Sequence, residues 1–402
     1  MAISRLPLLD AMKGIGCIAI VLHHLAVYGP MSDVVRGDFP AIIGGLEIYA
    51  RLAVQMFFVL AGFLVAAQLA PEGDPRKLHL ASRWARENEA VKPSRQDAAQ
   101  AVLSTPSAPS TLPPSSALSL IVKRYRRLVT PFLFAIASAI LITAIIRPWF
   151  VHDSLSAPPS LAQLLAHALL LHDLTGVEAL SAGVWYVAID FQLFILTVLL
   201  TAFSARVAPT WRWVFPCLII ALAAASLWVL NRHNQYEDYA PYFFGAYALG
   251  MLAYWSTRNT LGSIFLLTIA ALGSVALWLQ YRNPIVVALA TAIIVALAGQ
   301  RGWLAQWPRP SVLTWLGQRS YSIFLIHYGF CIGINAVWAR FFPTGVFINA
   351  VGMMLAVLIS VGAGALLYRY VESQPNALGR NWVTAALGAA VATAFLLETL
   401  SW

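Results

Sequence analysis

An all-α polytopic membrane bundle of ten or eleven helices is the fold predicted for this 402-residue chain, on three observations. The composition is 60% apolar and only 11% charged, with a mean hydropathy of +0.73. Soluble domains carry about 25% charged residues, so this is an integral membrane protein built around one large helical domain. Apolar runs long enough to cross a hydrocarbon layer about 30 Å thick recur along the whole chain. Lysine and arginine also segregate to alternate connecting segments. With the N-terminus in the cytoplasm, 20 of the 26 fall inside, and only Arg36, Arg51, Arg147, Arg232, Arg282 and Arg340 fall outside. Positive loops stay inside, which sets the orientation. The net charge of +9 is therefore an orientation signal, and little is left to support a nucleic-acid partner.

The elements follow in chain order. The first span covers 8–28. Acidic Asp10 precedes its apolar run and no small-x-small site follows, so it is expected to remain as a helix rather than be cleaved. The second covers 50–70 and leads into a cytoplasmic insert, 71–122. The centre of that insert, "RQDAAQAVLSTPSAPSTLPPSSALS", is biased to Pro, Ser and Ala and has nothing with which to build a core. The third span, 127–147, opens an outward loop over 148–183. Within that loop "SLAQLLAHALLLHDL" is amphipathic and predicts a short helix lying along the membrane or capping a cavity. Five spans follow at 184–204, 213–230, 241–256, 261–280 and 284–299. The short ones, 241–256 and 284–299, are expected to tilt or to be shielded by neighbours. Spans at 319–339 and 346–368 close a main domain over 1–375, and 382–400 predicts one further C-terminal helix in 376–402. No repeat of fixed period is present, and no soluble catalytic domain is appended. Cys17, Cys217 and Cys331 all lie in apolar spans, which predicts buried thiols rather than a disulfide framework.

Polar groups inside such spans are costly unless they line a cavity or find a partner. In "MKGIGCIAIVLHHLAVY", Lys13 and His24 are separated by roughly 1100° of helical rotation, about 20° beyond three turns. They share one face, roughly 16 Å apart along the axis, with Asp10 close to the same face. His23 points elsewhere. Adjacent residues diverge on a helix and no carboxylate or cysteine cluster adds ligands, so a metal at His23–His24 is not expected. "VKRYRRLVTPF" places Arg124 and Arg127 at i and i+3, either as a topology anchor or as a guanidinium pair able to grip phosphates. "GVWYVAIDFQLF" buries Asp190 and Gln192, and the carboxylate needs a cation, a proton or an imidazole. "RSYSIFLIHYGF" sets Ser320 and His327 seven residues apart, nearly on one face, and "YRYVESQP" ends its span with Glu372 near Arg369.

These segments, in this order, resemble the membrane-bound acyltransferase family 3 proteins. "LDAMKGIGCIAIVLHH" is similar to the family's opening D-x-x-R-G run ending in His, with Lys13 where arginine is usual. "AVQMFFVLAGFLVA" resembles its FFxLSGFL helix, and "KRYRRLVTPF" its RxxR-then-Pro element. "WYVAIDFQLFIL" resembles the W-x-L-x-x-E signature, with Asp190 in place of glutamate. "LGQRSYSIFLIH" and "YRYVESQP" look like the late G-x-x-SYxIYLxH and E-x-P elements, the last with one extra residue.

The resemblance implies transfer of an acyl group, commonly acetyl, from cytoplasmic acyl-CoA to a hydroxyl of an envelope or extracellular carbohydrate or glycolipid. It implies catalytic roles for His24, Asp190, Glu372 and His327, and donor binding by Lys13, Arg124 and Arg127. It implies substrate contacts for Trp185, Tyr186, Ser320 and Tyr321. No metal and no permanently bound cofactor is expected, acyl-CoA being a substrate. The expected partners are the lipid bilayer, acyl-CoA and the acceptor glycan, in a multi-pass protein of the bacterial inner membrane. Ester transfer needs a base near neutral pKa, which histidine supplies, and the cations at the cytoplasmic mouth suit the phosphates of CoA. Direct transfer with His24 as general base is expected over a covalent acyl-histidine. A proton-coupled secondary transporter is the alternative reading, since intramembrane His, Asp and basic residues also make proton relays. A receptor or assembly scaffold leaves the aligned Lys13–His24 face unexplained.

Overall fold

The structure is a computed structural model that describes residues 6–70, 114–207, 213–258, 260–306, 311–374 and 388. Among these, nine helices are long and apolar enough to cross a membrane, and no strand occurs. The predicted insert core up to residue 113 and, apart from residue 388, the predicted final helix at 382–400 lie outside the described residues.

Helix α1 (Pro7–Val27) starts with proline at its first position, where the missing N–H costs nothing. The stretch after it, read from sequence as loop, forms α2 (Pro30–Asp38) and α3 (Pro40–Tyr49), each again begun by proline. Arg36 on α2 is paired with Glu47 on α3 and donates to the Ala26 carbonyl at 3.4 Å, which fastens this outer cap to the end of α1. A short 3-10 turn joins α3 to α4 (Ala53–Leu69), so the second crossing begins about ten residues before the predicted 50 and runs Pro40–Leu69. Helix α5 (Pro114–Ile146) likewise starts before its predicted boundary, extending the third crossing into what was read as insert. The basic run is thus helical, not loop.

Helices α6 (Leu161–Ala168) and α7 (His172–Thr175) occupy the outward segment, where a short helix was predicted. The bundle continues with α8 (Val184–Val207), α9 (Val214–Trp228), α10 (Ala240–Arg258), α11 (Gly262–Leu279) and α12 (Asn283–Gln300). After the single turn α13 (Trp303–Gln306), α14 (Val312–Phe341) and α15 (Val346–Leu367) complete it. The predicted 319–339 span is longer at its start because Ser311 caps α14 with a Ser–Thr capping box.

Two contacts organise the core. Helix α1 runs beside α14 along its length, and α4 beside α10. At the second, a Cβ on Gly62 would collide with the Tyr247 carbonyl oxygen, and one on Gly250 with that of Val59. Only glycine lets these two backbones touch. Helix α10 is buried on every side from Tyr242 to Ser256, packed by α4, α8, α9, α11 and α12. Its tyrosines, glycines and tryptophan keep it outside the nine most apolar helices, yet it sits at the centre, as expected of a short, shielded span. Cys17 and Cys331 are buried as predicted. Cys217 is not: it lies exposed, on a face of α9 that no other helix covers.

The 148–183 segment does more than cap. Near its start, Tyr328 Oη donates to the Ser154 carbonyl at 2.6 Å, and Arg147, just past the C-terminal end of α5, donates to that of Ser156. Yet Tyr125 Oη donates to the Ala168 carbonyl at 2.7 Å. Tyr125 and Arg147 are roughly 33 Å apart along α5. The chain therefore enters at the Arg147 end of α5, runs back beside α5 and α8 toward Tyr125, and returns to Val184. Non-helical backbone at such depth is tolerated where protein surrounds it. His167 supplies part of the internal bonding: its Nδ1–H donates to Gln163 O at 2.8 Å and its Nε2 accepts from Leu180 N at 3.1 Å.

Candidate active site

His24 lies in the last turn of α1 and His327 in the middle of α14, brought together by the lengthwise packing of those helices. His24 Nδ1 and His327 Nε2 are 2.6 Å apart, with the two rings nearly coplanar at 4°. On the far side, His327 Nδ1 is 2.7 Å from the Phe324 carbonyl oxygen. A carbonyl only accepts, so His327 Nδ1 carries hydrogen and its Nε2 presents a lone pair. That lone pair accepts from His24 Nδ1–H. The remaining nitrogen of His24, Nε2, is then an unprotonated acceptor: a base whose tautomer is fixed by two successive hydrogen bonds. His23 is turned away, its Nδ1 3.3 Å from the Leu46 carbonyl on α3.

Around this pair the walls are aromatic and small. Tyr28 stands 5.6 Å from the His24 ring, ring centre to ring centre, and Tyr328 meets Tyr28 edge-on at 5.5 Å. Beside it, Tyr186 packs against Phe57, Phe58 and Phe324, and Trp185 against Phe58 and Phe243. Gly183, at φ +80°, passes directly against His24: a Cβ there would lie 3.4 Å from His24 Cε1 and 3.1 Å from Phe324 Cζ. The stretch "GVWYVAIDFQLF" was read for Asp190, Gln192, Trp185 and Tyr186. Its leading glycine is the residue that reasoning from sequence missed, although a glycine opening a span is itself a signal of close approach.

The other predicted residues separate into groups. Asp190 has taken a cation, not an imidazole: Arg124 Nη2 donates to Asp190 Oδ2 at 2.6 Å, with the carboxylate 6% exposed. Arg124 also stands 5.4 Å over the Phe194 ring. The expected Arg124–Arg127 pair is therefore corrected. A buried carboxylate unpaired would cost several kcal/mol, and Arg124 has turned inward to meet it, while Arg127 stays exposed. Lys13 pairs with Asp10 at 3.7 Å, as their shared face predicts, and is one-quarter exposed. Arg127 lies in electrostatic range of both Lys13 and Glu372.

Glu372 is held by neither histidine. A π turn over Tyr368–Glu372, closed by Ser373 N to Tyr368 O at 2.8 Å, ends α15 and delivers Glu372 to Ser322, whose Oγ donates at 2.5 Å. Ser320 is not presented to the histidines: its hydroxyl donates to Gly317 O one turn back at 2.8 Å, because a helical serine finds its nearest acceptor there. Tyr321 ties α14 to α5 through Leu128 O at 2.9 Å. Among the described residues no group of three or more metal-ligating side chains occurs.

The order is thus cationic at the Lys13–Arg127 end of the bundle, aromatic in the middle, and basic nitrogen toward the opposite end. Compared with known families, the chain matches the acyltransferase domain model over residues 6–369. The chain belongs to the acyltransferase 3 family. Neither curated proteins nor solved structures give a match. Membership makes this a membrane-embedded protein of an acyltransferase family, and it does not favour the secondary-transporter reading.

Proposed function

We propose that this protein is an O-acyltransferase that moves an acyl group, acetyl in the simplest case, from cytoplasmic acyl-CoA to a hydroxyl of an envelope or extracellular carbohydrate. The observation that carries the reading is the chain Phe324 O, His327, His24, which leaves one basic nitrogen at His24 Nε2. In the transfer, the acceptor hydroxyl attacks the thioester carbonyl carbon as its proton passes to His24 Nε2. The carbonyl electrons move onto oxygen. On collapse the carbon–sulfur bond breaks, and the proton on Nε2 goes to the departing thiolate, giving an ester and free CoA. His327 keeps His24 in the useful tautomer and shares the positive charge that forms, the part a carboxylate plays in a serine–histidine–aspartate triad. Charge then separates and recombines on one imidazole, and no covalent acyl-histidine is required.

The charge distribution and the depth of His24 support a sided route. Arg127 and Lys13 mark the cytoplasmic mouth and suit the phosphates of CoA. Roughly 16 Å separates Lys13 from His24 along α1, a span that an extended pantetheine arm covers. The nucleotide would stay at the mouth while the thioester reaches the outer half of a multi-pass inner-membrane protein. Sealed vesicles of known orientation test it: labelled acetyl-CoA supplied at the cytoplasmic face should label a glycan confined to the opposite face. Labelling only when both substrates share one face would contradict the sided route.

A further inference from the structure

Acyl transfer places negative charge on the carbonyl oxygen, and nothing described above receives it. Helix α8 supplies what is missing. Its 24 residues begin at Val184, immediately after Gly183, so its positive end faces the reacting histidine. The first N–H groups of a helix have no partner within it. Here the Val184 and Trp185 N–H groups meet no acceptor among the described residues, whereas Tyr186 N is already bonded to Gly183 O at 3.1 Å. Val184 is 1% exposed, so this donor is not satisfied by bulk water.

Two further observations point to a ligand at this turn. His24 is more than nine-tenths buried, has no partner at Nε2, and comes within 3.4 Å of the position a Gly183 Cβ would occupy. Ser181, two residues before the turn and 2% exposed, has a hydroxyl without a hydrogen-bond partner. At the one place where Gly183 touches the His24 ring, the base is thus joined by two orphaned backbone donors in the next two residues and an orphaned hydroxyl two residues before. Gly183 in the left-handed region, bare of a side chain, is what lets the backbone and the imidazole share it.

We propose that the first turn of α8 is the oxyanion site: the Val184 and Trp185 N–H groups, with Ser181 Oγ–H beside them, receive the acyl carbonyl oxygen as its charge develops. The inference rests on the acyl-transfer reading above and adds the group that stabilises its tetrahedral intermediate. While the acceptor proton moves to His24 Nε2, the oxygen gains its electron pair against fixed donors that need no reorganisation. The same donors release it when the carbon–sulfur bond breaks.

The test removes donors one at a time. Proline is well accepted at a helix's first position, so Val184→Pro deletes one N–H while keeping the turn. With purified protein and acetyl-CoA, kcat should fall about 10²–10³-fold, with KM for acetyl-CoA and the melting temperature unchanged. Ser181→Ala should lower kcat about 10–100-fold in the same pattern. Should Val184→Pro misfold, replacing Val184 by its α-hydroxy acid removes the same N–H with the side chain intact, and the same loss is expected. A folded Val184 variant with kcat within about twofold of the parent overturns the oxyanion site. If that happens while His24→Ala is inactive, the acyl-transfer reading stands alone. If the parent itself moves no label from acetyl-CoA, that reading has failed first.

Discussion

Replacing His327 with phenylalanine tests how the base is prepared. In the parent, His24 Nδ1–H donates to His327 Nε2 at 2.6 Å, and His327 is fixed by the Phe324 carbonyl at 2.7 Å. Phenylalanine fills much the same volume and accepts nothing. Two losses follow. His24 becomes free to carry its proton on Nε2, the wrong nitrogen, and the imidazolium formed during transfer loses a charge-assisted hydrogen bond. Such a bond is worth about 1.5–3 kcal/mol, and each 1.36 kcal/mol is tenfold, so kcat should fall roughly 10–150-fold. The KM for acyl-CoA should stay within about twofold, because His327 touches neither mouth nor donor phosphates. His327→Gln keeps an acceptor oxygen near the same point and should recover part of the loss. The assay is CoA release and label transfer by purified protein across pH. His327→Phe with parental kcat, or His327→Gln no better than phenylalanine, would refute the orienting role.

Further outcomes follow from the same geometry. Asp190→Asn strands Arg124 as a buried, unpaired cation and should cost about 3–5 kcal/mol of stability, read as a lowered melting temperature; Arg124→Leu combined with Asp190→Leu should recover most of it. Arg127→Ala should raise KM for acyl-CoA more than it lowers kcat; unchanged CoA binding in calorimetry would leave the residue as a topology anchor. Burial, with His167 adding to it, pushes the His172 imidazole from its usual 6.5 down to about 3. Folding of the 160–183 segment therefore bears no cost from this group above pH 6.5, and a growing one as pH falls towards 3. His172→Phe removes that dependence, so at pH 5 its segment should exchange amide hydrogens about 30-fold more slowly than the parent's, a difference of about 2 kcal/mol. Equal exchange at pH 5 and 7.5, relative to the parent, would show the imidazole is not held neutral. Gly62→Val should prevent α4 and α10 from meeting and abolish folded protein, judged by size-exclusion in detergent.

Much of this was legible in the sequence because bilayer physics leaves few choices. Apolar runs gave the crossing helices, and helical rotation put Lys13 and Asp10 together. Boundaries were less legible where capping, not hydropathy, decides them: the Ser311 box lengthens α14, and Pro30 and Pro40 open helices in the stretch after α1 that was read as loop. The site's central contact was half legible. His24 and His327 each stood out as polar groups in apolar helices, but only the α1–α14 packing shows that one hydrogen-bonds the other. Arg124 was misplaced because an i, i+3 pair reads as one surface patch until a buried carboxylate on another helix claims one member. The descent of 161–175 had no sequence signature beyond amphipathicity, and Gly183 was hidden in plain view at the head of a span.

The most direct measurement is the fate of the acyl group. Purified parent protein and His24→Ala, both confirmed as folded by equal melting temperatures, are given acetyl-labelled CoA with a glycan extract from cells lacking the protein. Parent protein should release CoA and leave label on the glycan as an ester cleaved by mild alkali, with no label on the protein. His24→Ala should do neither. Near-parental transfer by His24→Ala, or label retained on His24 of the parent as a competent intermediate, would contradict the account of His24 Nε2 as the general base.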